Sequence, residues 1–172
     1  MGLYIASRVE VIDEIVEELR RLYPIGRTVI AVDALTELGQ RAFADDLVAR
    51  LKRAGASAFH ADIAGVAESD FRRVLFDPFR MGGSTGFVLR IPRIDEPFPT
   101  PTKWVTGPKD GFLILTGESL LAEGQADRWN HSILLVAEPT PSETDKPFRL
   151  RSKITVSMQD PEHPRRLFAD SC

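Results

Sequence analysis

Residues 28–51 read TVIAVDALTELGQRAFADDLVARL, and the fold is decided there. Thr28 to Val32 is short, β-branched and apolar toward both sides, as a strand in the middle of a parallel sheet must be when helices cover both of its faces. From about Gln40 to Leu51 the spacing changes. Phe43, Leu47, Val48 and Leu51 recur three and four residues apart and give a helix with one apolar face. Asp45, Asp46, Arg50, Lys52 and Arg53 fall on mostly exposed positions, and Gly55 supplies the stop. Strand, tight loop and helix are therefore expected in immediate succession.

Composition sets the frame for that unit. The 172 residues, 43% apolar and 27% charged, suit one globular domain spanning 1–172 with a substantial core. A net charge of −3 gives no electrostatic reason to expect nucleic acid or an anionic membrane as partner. No run reaches the ~18 apolar residues of a membrane span, and the N-terminal residues carry no basic, apolar, small-residue signal. A cytoplasmic protein is expected. Cys172 is the only cysteine, which excludes an intrachain disulfide and a cysteine metal cluster.

Outward from residues 28–51 the same alternation continues. Ser7 and Glu10 have capping-box spacing, and Ile12, Ile15, Val16, Leu19 and Leu22 mark the buried face of a first helix that Pro24 and Gly26 end. Ala56 to Asp62 reads as a second strand, and Ser69 to Phe76 as a helix closed by Asp77-Pro78. Residues 80–86 (RMGGSTG) read as a turn, Phe87 to Ile91 as a strand, and the Pro-rich stretch 95–108 as an extended surface connection. Phe112 to Leu115, Ser132 to Val136 and Ile154 to Met158 are further strands. Ser119 to Ala126 is a helical candidate, Glu138 to Phe148 a polar loop, and Asp160 to Pro164 a turn. His131 and His163 fall in turns, and Trp104 and Trp129 read as cap or core residues. No His/Asp/Glu spacing resembles a zinc site.

Strands alternating with helices predict a layered α/β domain around a mostly parallel sheet. Right-handed crossovers then bring the loops after Val32, His60 and Leu115 to one carboxyl edge. Three polar clusters are expected to meet there: Asp33 to Arg41, Asp62, and Thr116 to Glu118.

At these residues the chain resembles the uridine kinase family of P-loop nucleoside kinases. Residues 28–51 parallel the family's strand, its VDG…SGSGKTTFADEL loop and its helix. SDFRRVLFDPF at 69–79, FLILTGESLL at 112–121 and KITVSMQDPEHPRRLFADSC at 153–172 resemble later family segments. The resemblance implies a three-layer P-loop NTPase fold. It also implies a nucleotide site at Asp33, Ala34, Thr36, Gly39, Gln40 and Arg41. Asp62 matches the aspartate that accepts the proton of the attacking nucleoside hydroxyl.

The departures fall on the chemistry. The phosphate motif Gly-x-x-x-x-Gly-Lys-Ser/Thr cradles phosphates on backbone N–H groups, with the lysine on the β- and γ-phosphates and the hydroxyl on Mg²⁺. Here Ala34 replaces the first glycine, Gln40 the lysine and Arg41 the hydroxyl, leaving Gly39 alone. Glu37 adds a carboxylate to the loop. At ~5 Å from a phosphate charge it would cost roughly 3 kcal/mol at an effective dielectric near 20. Thr116 stands where the family has an acidic residue, with Glu118 the nearest carboxylate. The stretch between Asp62 and Ser69 is short, and a Pro/Thr/Ser loop replaces the arginine-bearing lid.

The sequence thus points to a catalytically impaired, pseudokinase-like chain that keeps the fold for binding a nucleotide or nucleoside, or for interaction with a second copy or a paralogue. The alternative is a working ATP-dependent nucleoside kinase that uses Arg41 and Glu118 unconventionally. Only that alternative calls for ATP and Mg²⁺ as cofactors.

Overall fold

The computed structural model describes residues 4–82, 84–97 and 102–168. The last four residues of the 153–172 segment, Cys172 among them, lie outside the described residues, as does part of the Pro-rich connection.

Helix α1 (Arg8–Leu22) begins at the expected capping box, with Ser7 N donating to Glu10 Oε2 at 2.8 Å and the Ser7 hydroxyl accepting from Glu10 N. Its buried face is Val11, Ile12, Ile15, Val16 and Leu19. Leu22 was expected on that face but is 49% exposed, because it is the final helical residue and the chain turns away through residues 23–26. Strand β1 (Arg27–Ala34) follows and is buried from Thr28 to Asp33. Helix α2 (Gln40–Arg53) buries Phe43, Leu47, Val48 and Leu51 as predicted. Gly55, at φ +87°, takes the left-handed turn that leads to β2 (Ala58–Asp62).

A helical stretch comes next: α3 (Glu68–Phe71), a π-helical turn (Arg72–Phe76) and α4 (Asp77–Met81). Asp77-Pro78 does not close the helix as expected. Pro78 occupies the first turn of α4, where a missing N–H costs no hydrogen bond. The expected strand at 87–91 is reduced to β3 (Phe87–Val88), paired antiparallel with β4 (Trp104–Val105) in a two-stranded ribbon outside the main sheet. Trp104 is 56% exposed there and is not a core residue.

Strands β5 (Gly111–Thr116), β6 (His131–Val136), β7 (Ile154–Ser157) and β8 (Arg165–Leu167) complete the main sheet. Its order is β2-β5-β1-β6-β7-β8, with every pairing parallel except β7 with β8. His131 opens β6 rather than sitting in a turn. The helix expected at 119–126 does not form. Leu121 N donates to Asp33 Oδ2, the Leu120 carbonyl accepts from Trp129 Nε1, and Ser119 and Gly124 adopt positive φ. Backbone groups committed elsewhere cannot build a helix, and one 3₁₀ turn (Ala126–Arg128) remains. The expected 138–148 loop ends in a short helix, α5 (Lys146–Arg151).

Side chains alternating along β1 divide the core. Ile30 and Val32 pack with α1 and α2, while Val29 and Ala31 pack on the other side with Phe71, Phe79, Leu121 and Trp129. The chain therefore has three layers, with a mostly parallel sheet between helices. No helix among the described residues is long and apolar enough to cross a membrane.

Candidate functional site

The register lines up three strand ends. Val32 of β1 lies opposite Thr116 of β5, and Thr116 lies opposite Asp62 of β2. The chain leaves β1 toward β2 on one side of the sheet, and leaves β5 toward β6 on the other. The carboxyl edge around β1 is thus the topological switch point, where such sheets place their ligands. All three predicted polar clusters meet there.

The loop after β1 uses its own side chains on its own amides. Asp33, 1% exposed, accepts from Ala34 N at 2.9 Å through Oδ1 and from Leu121 N at 2.8 Å through Oδ2. Burial pushes its pKa up, and these backbone N–H groups pull it back. Asp33 so ties the 117–121 turn to the loop. Glu37 Oε1 accepts from Gly39 N at 3.3 Å, and Gln40 Oε1 accepts from Leu38 N at 3.1 Å. Gly39, at φ +74°, starts α2 without a side-chain cap. Thr36 is exposed on the rim. A cavity of about 380 Å³ lies here, lined among others by Asp33, Ala34, Thr36, Glu37, Gln40 and Glu118.

That lining does not suit a magnesium-bound triphosphate. Three of its side chains are carboxylates and none is basic. The N–H groups of Ala34, Leu38 and Gly39 already have acceptors. A phosphate seated on them would displace Glu37 and then face its charge. Among the described residues no group of three or more His, Cys, Asp or Glu is placed to hold a metal ion.

Arg41 turns away from the cavity. Its Nε lies 2.8 Å from Asp62 Oδ2, and Arg93 Nη2 reaches the same oxygen at 3.2 Å. Asp62 Oδ1 accepts from Ala64 N and has the Thr116 hydroxyl at 3.3 Å. Both carboxylate oxygens are engaged. Behind Thr116, His60 Nε2 is 2.9 Å from its Oγ1, and His60 Nδ1 is 2.7 Å from Asp45 Oδ1.

The sequence places His60 inside the second strand and assigns it no role, which leaves this cluster unseen. The signal was present in the spacing. Arg41 and Asp45 are four apart on one face of α2, and His60 and Asp62 are two apart on one face of β2. Facing elements make two pairs into one group.

A second cavity, about 360 Å³, opens at the 63–66 loop that follows β2. Ile63, Gly65, Glu68, Phe71 and Arg128 line it, and Glu118 borders both cavities. Arg128 pairs with Glu68 at 2.6 Å and lies over the Trp129 ring. The 138–151 segment folds on itself. Arg149 pairs with Asp145 at 2.7 Å and donates to the carbonyls of Glu138 and Pro139.

No protein-family model and no curated protein matches the sequence. Solved structures do share its fold. A candidate uridine kinase from Bacillus stearothermophilus superposes with a TM-score of 0.57 at 15% identity, over 74% of this chain and 80% of that one. A candidate fructose transport system kinase from Silicibacter sp. TM1040 gives 0.52 at 18% identity, over 85% of this chain and 79% of that one. The six-stranded, mostly parallel sheet flanked by helices is the fold of the P-loop kinases.

Proposed function

We propose that this chain, residues 1–172 taken as one unit, is a binding module on a P-loop kinase fold that does not carry out phosphoryl transfer. The observation that supports this most is the self-satisfied loop. Glu37 and Gln40 hold the amides of Gly39 and Leu38, and Arg41, at the position of the magnesium-binding hydroxyl, is paired with Asp62. A working cradle leaves those N–H groups for phosphate and supplies a lysine. The cavity at the 63–66 loop has the room, the polar rim and the aromatic wall of Phe71 and Trp129 for a nucleoside-sized ligand.

A thermal-shift screen with ATP, GTP and nucleosides, each with and without Mg²⁺, tests the reading. Stabilisation by a nucleoside, or by nucleotide independently of Mg²⁺, is the expected result. A Mg²⁺-dependent shift with ATP alone overturns it.

The second reading is an ATP-dependent nucleoside kinase with Asp62 as base, Arg41 supplying charge and Glu118 a carboxylate. The position of Glu118 on both cavities favours it. It requires Arg41 to leave Asp62 and Glu37 to leave Gly39, and calorimetry without ATP binding at millimolar nucleotide removes it. A role in pairing with a second copy or a paralogue has its own support in Leu150 and Phe168, 88% and 73% exposed beside the β8 edge. Size-exclusion chromatography of the chain, alone and mixed with such a partner, decides that.

A further inference from the structure

We infer that Asp45, His60 and Thr116 form a proton-coupled relay onto Asp62, in which the charge of His60 decides which acceptor receives the Thr116 hydroxyl. The argument is a count of donors. Thr116 has one O–H and two acceptors in reach: His60 Nε2 at 2.9 Å and Asp62 Oδ1 at 3.3 Å. Asp45 Oδ1, 2.7 Å from His60 Nδ1, can only accept when ionised, so Nδ1 carries a hydrogen. A neutral ring then has a bare Nε2, and the Thr116 hydroxyl turns to it. A charged ring donates from Nε2 to Thr116 Oγ1, and the hydroxyl turns to Asp62 instead.

Burial makes the choice binding. Thr116 is fully buried, so solvent does not stand in for whichever partner is lost. The charged and titratable groups facing His60 are Asp45 from α2 and, through Thr116 of β5, Asp62 with its partners Arg41 and Arg93. Asp62 Oδ2 stays with the two arginines in either state. Oδ1 alone changes, from the Ala64 N–H only to that N–H plus the hydroxyl. With His60 neutral, Oδ1 keeps a lone pair for the hydroxyl of an alcohol-bearing ligand. With His60 charged, Thr116 fills it. His60 and Thr116 are therefore positioning residues for Asp62.

The functional meaning rests on Asp62 facing the ligand, but the coupling is measured on the ligand-free chain, so its failure and the failure of the binding reading are separate. Labelled His and Asp allow the His60 ring nitrogens and the Asp62 carboxyl carbon to be followed by NMR through the same pH titration. The Asp62 signal is expected to inflect where His60 titrates. Thr116→Val should remove that inflection while His60 still titrates, and Thr116→Ser, which keeps the hydroxyl, should restore it. A flat Asp62 signal in the unaltered chain overturns the relay. So does an unchanged inflection in Thr116→Val, since that coupling would act through space. Where Thr116→Val does not fold, Thr116→Ala serves: the inflection must vanish while His60 is retained, and its persistence refutes the proposal.

Discussion

The protein should lose stability in mild acid through one buried histidine. His131 is 4% exposed at the start of β6. Its Nδ1 lies 3.2 Å from the Tyr23 hydroxyl, which spends its own proton on the Asn130 carbonyl at 2.6 Å. Among the described residues Nε2 has no partner. Burial is the main cause that pushes the His131 pKa down from 6.5 to about 4; Lys153 and Arg166 push the same way, and Glu18 opposes them. A folded-state pKa below the unfolded one means that the unfolded chain holds the extra proton between those values. The contribution is complete above 6.5 and is lost as pH falls toward 4. At about 1.4 kcal/mol per unit the swing is roughly 3 kcal/mol. Urea unfolding of the unaltered chain and of His131→Leu across that window measures it. The carboxylates, including Asp145 and Asp160 with their lowered pKa values, titrate in both proteins and cancel in the difference. The gap between the two should move toward the leucine variant by roughly 3 kcal/mol. A gap constant to within about 0.5 kcal/mol refutes the assignment.

Other predictions concern the core and the loop. Leu47 and Leu113 are fully buried on opposite faces of the sheet, so alanine at either should cost ~2–5 kcal/mol in denaturant unfolding. The double variant should be additive to within about 0.5 kcal/mol, because the two sites share no layer. Asp33→Ala strips acceptors from the Ala34 and Leu121 amides and should cost about 1–3 kcal/mol for each amide left unsatisfied. Hydrogen exchange at Leu121 should quicken in the same variant.

Where the apolar pattern was strong, the sequence was readable. The central strands and the faces of α1 and α2 follow from period and burial alone, because both sheet faces are covered. The meeting of Asp62, Thr116 and the 33–41 loop followed from handedness. What escaped depended on tertiary competition. The 119–126 helix was prevented by Asp33 and Trp129 capturing its backbone groups, which no local propensity records. Helix continuation past Asp77-Pro78 depended on a π-helical turn that has no sequence period. Strand β8, three residues with two arginines, offered too few apolar positions to read. Arg41 was legible as a departure from a motif. Its destination on Asp62 was not, since an ion pair across two elements follows from placement rather than spacing.

Transfer of phosphate from ATP to uridine or cytidine, measured with Mg²⁺ on the intact chain and on Asp62→Ala, tests the central claim most directly. The closed loop predicts no product above background in either protein. Product from the intact chain that disappears in Asp62→Ala would contradict the account, since it would require the loop to open and Asp62 to leave its arginines.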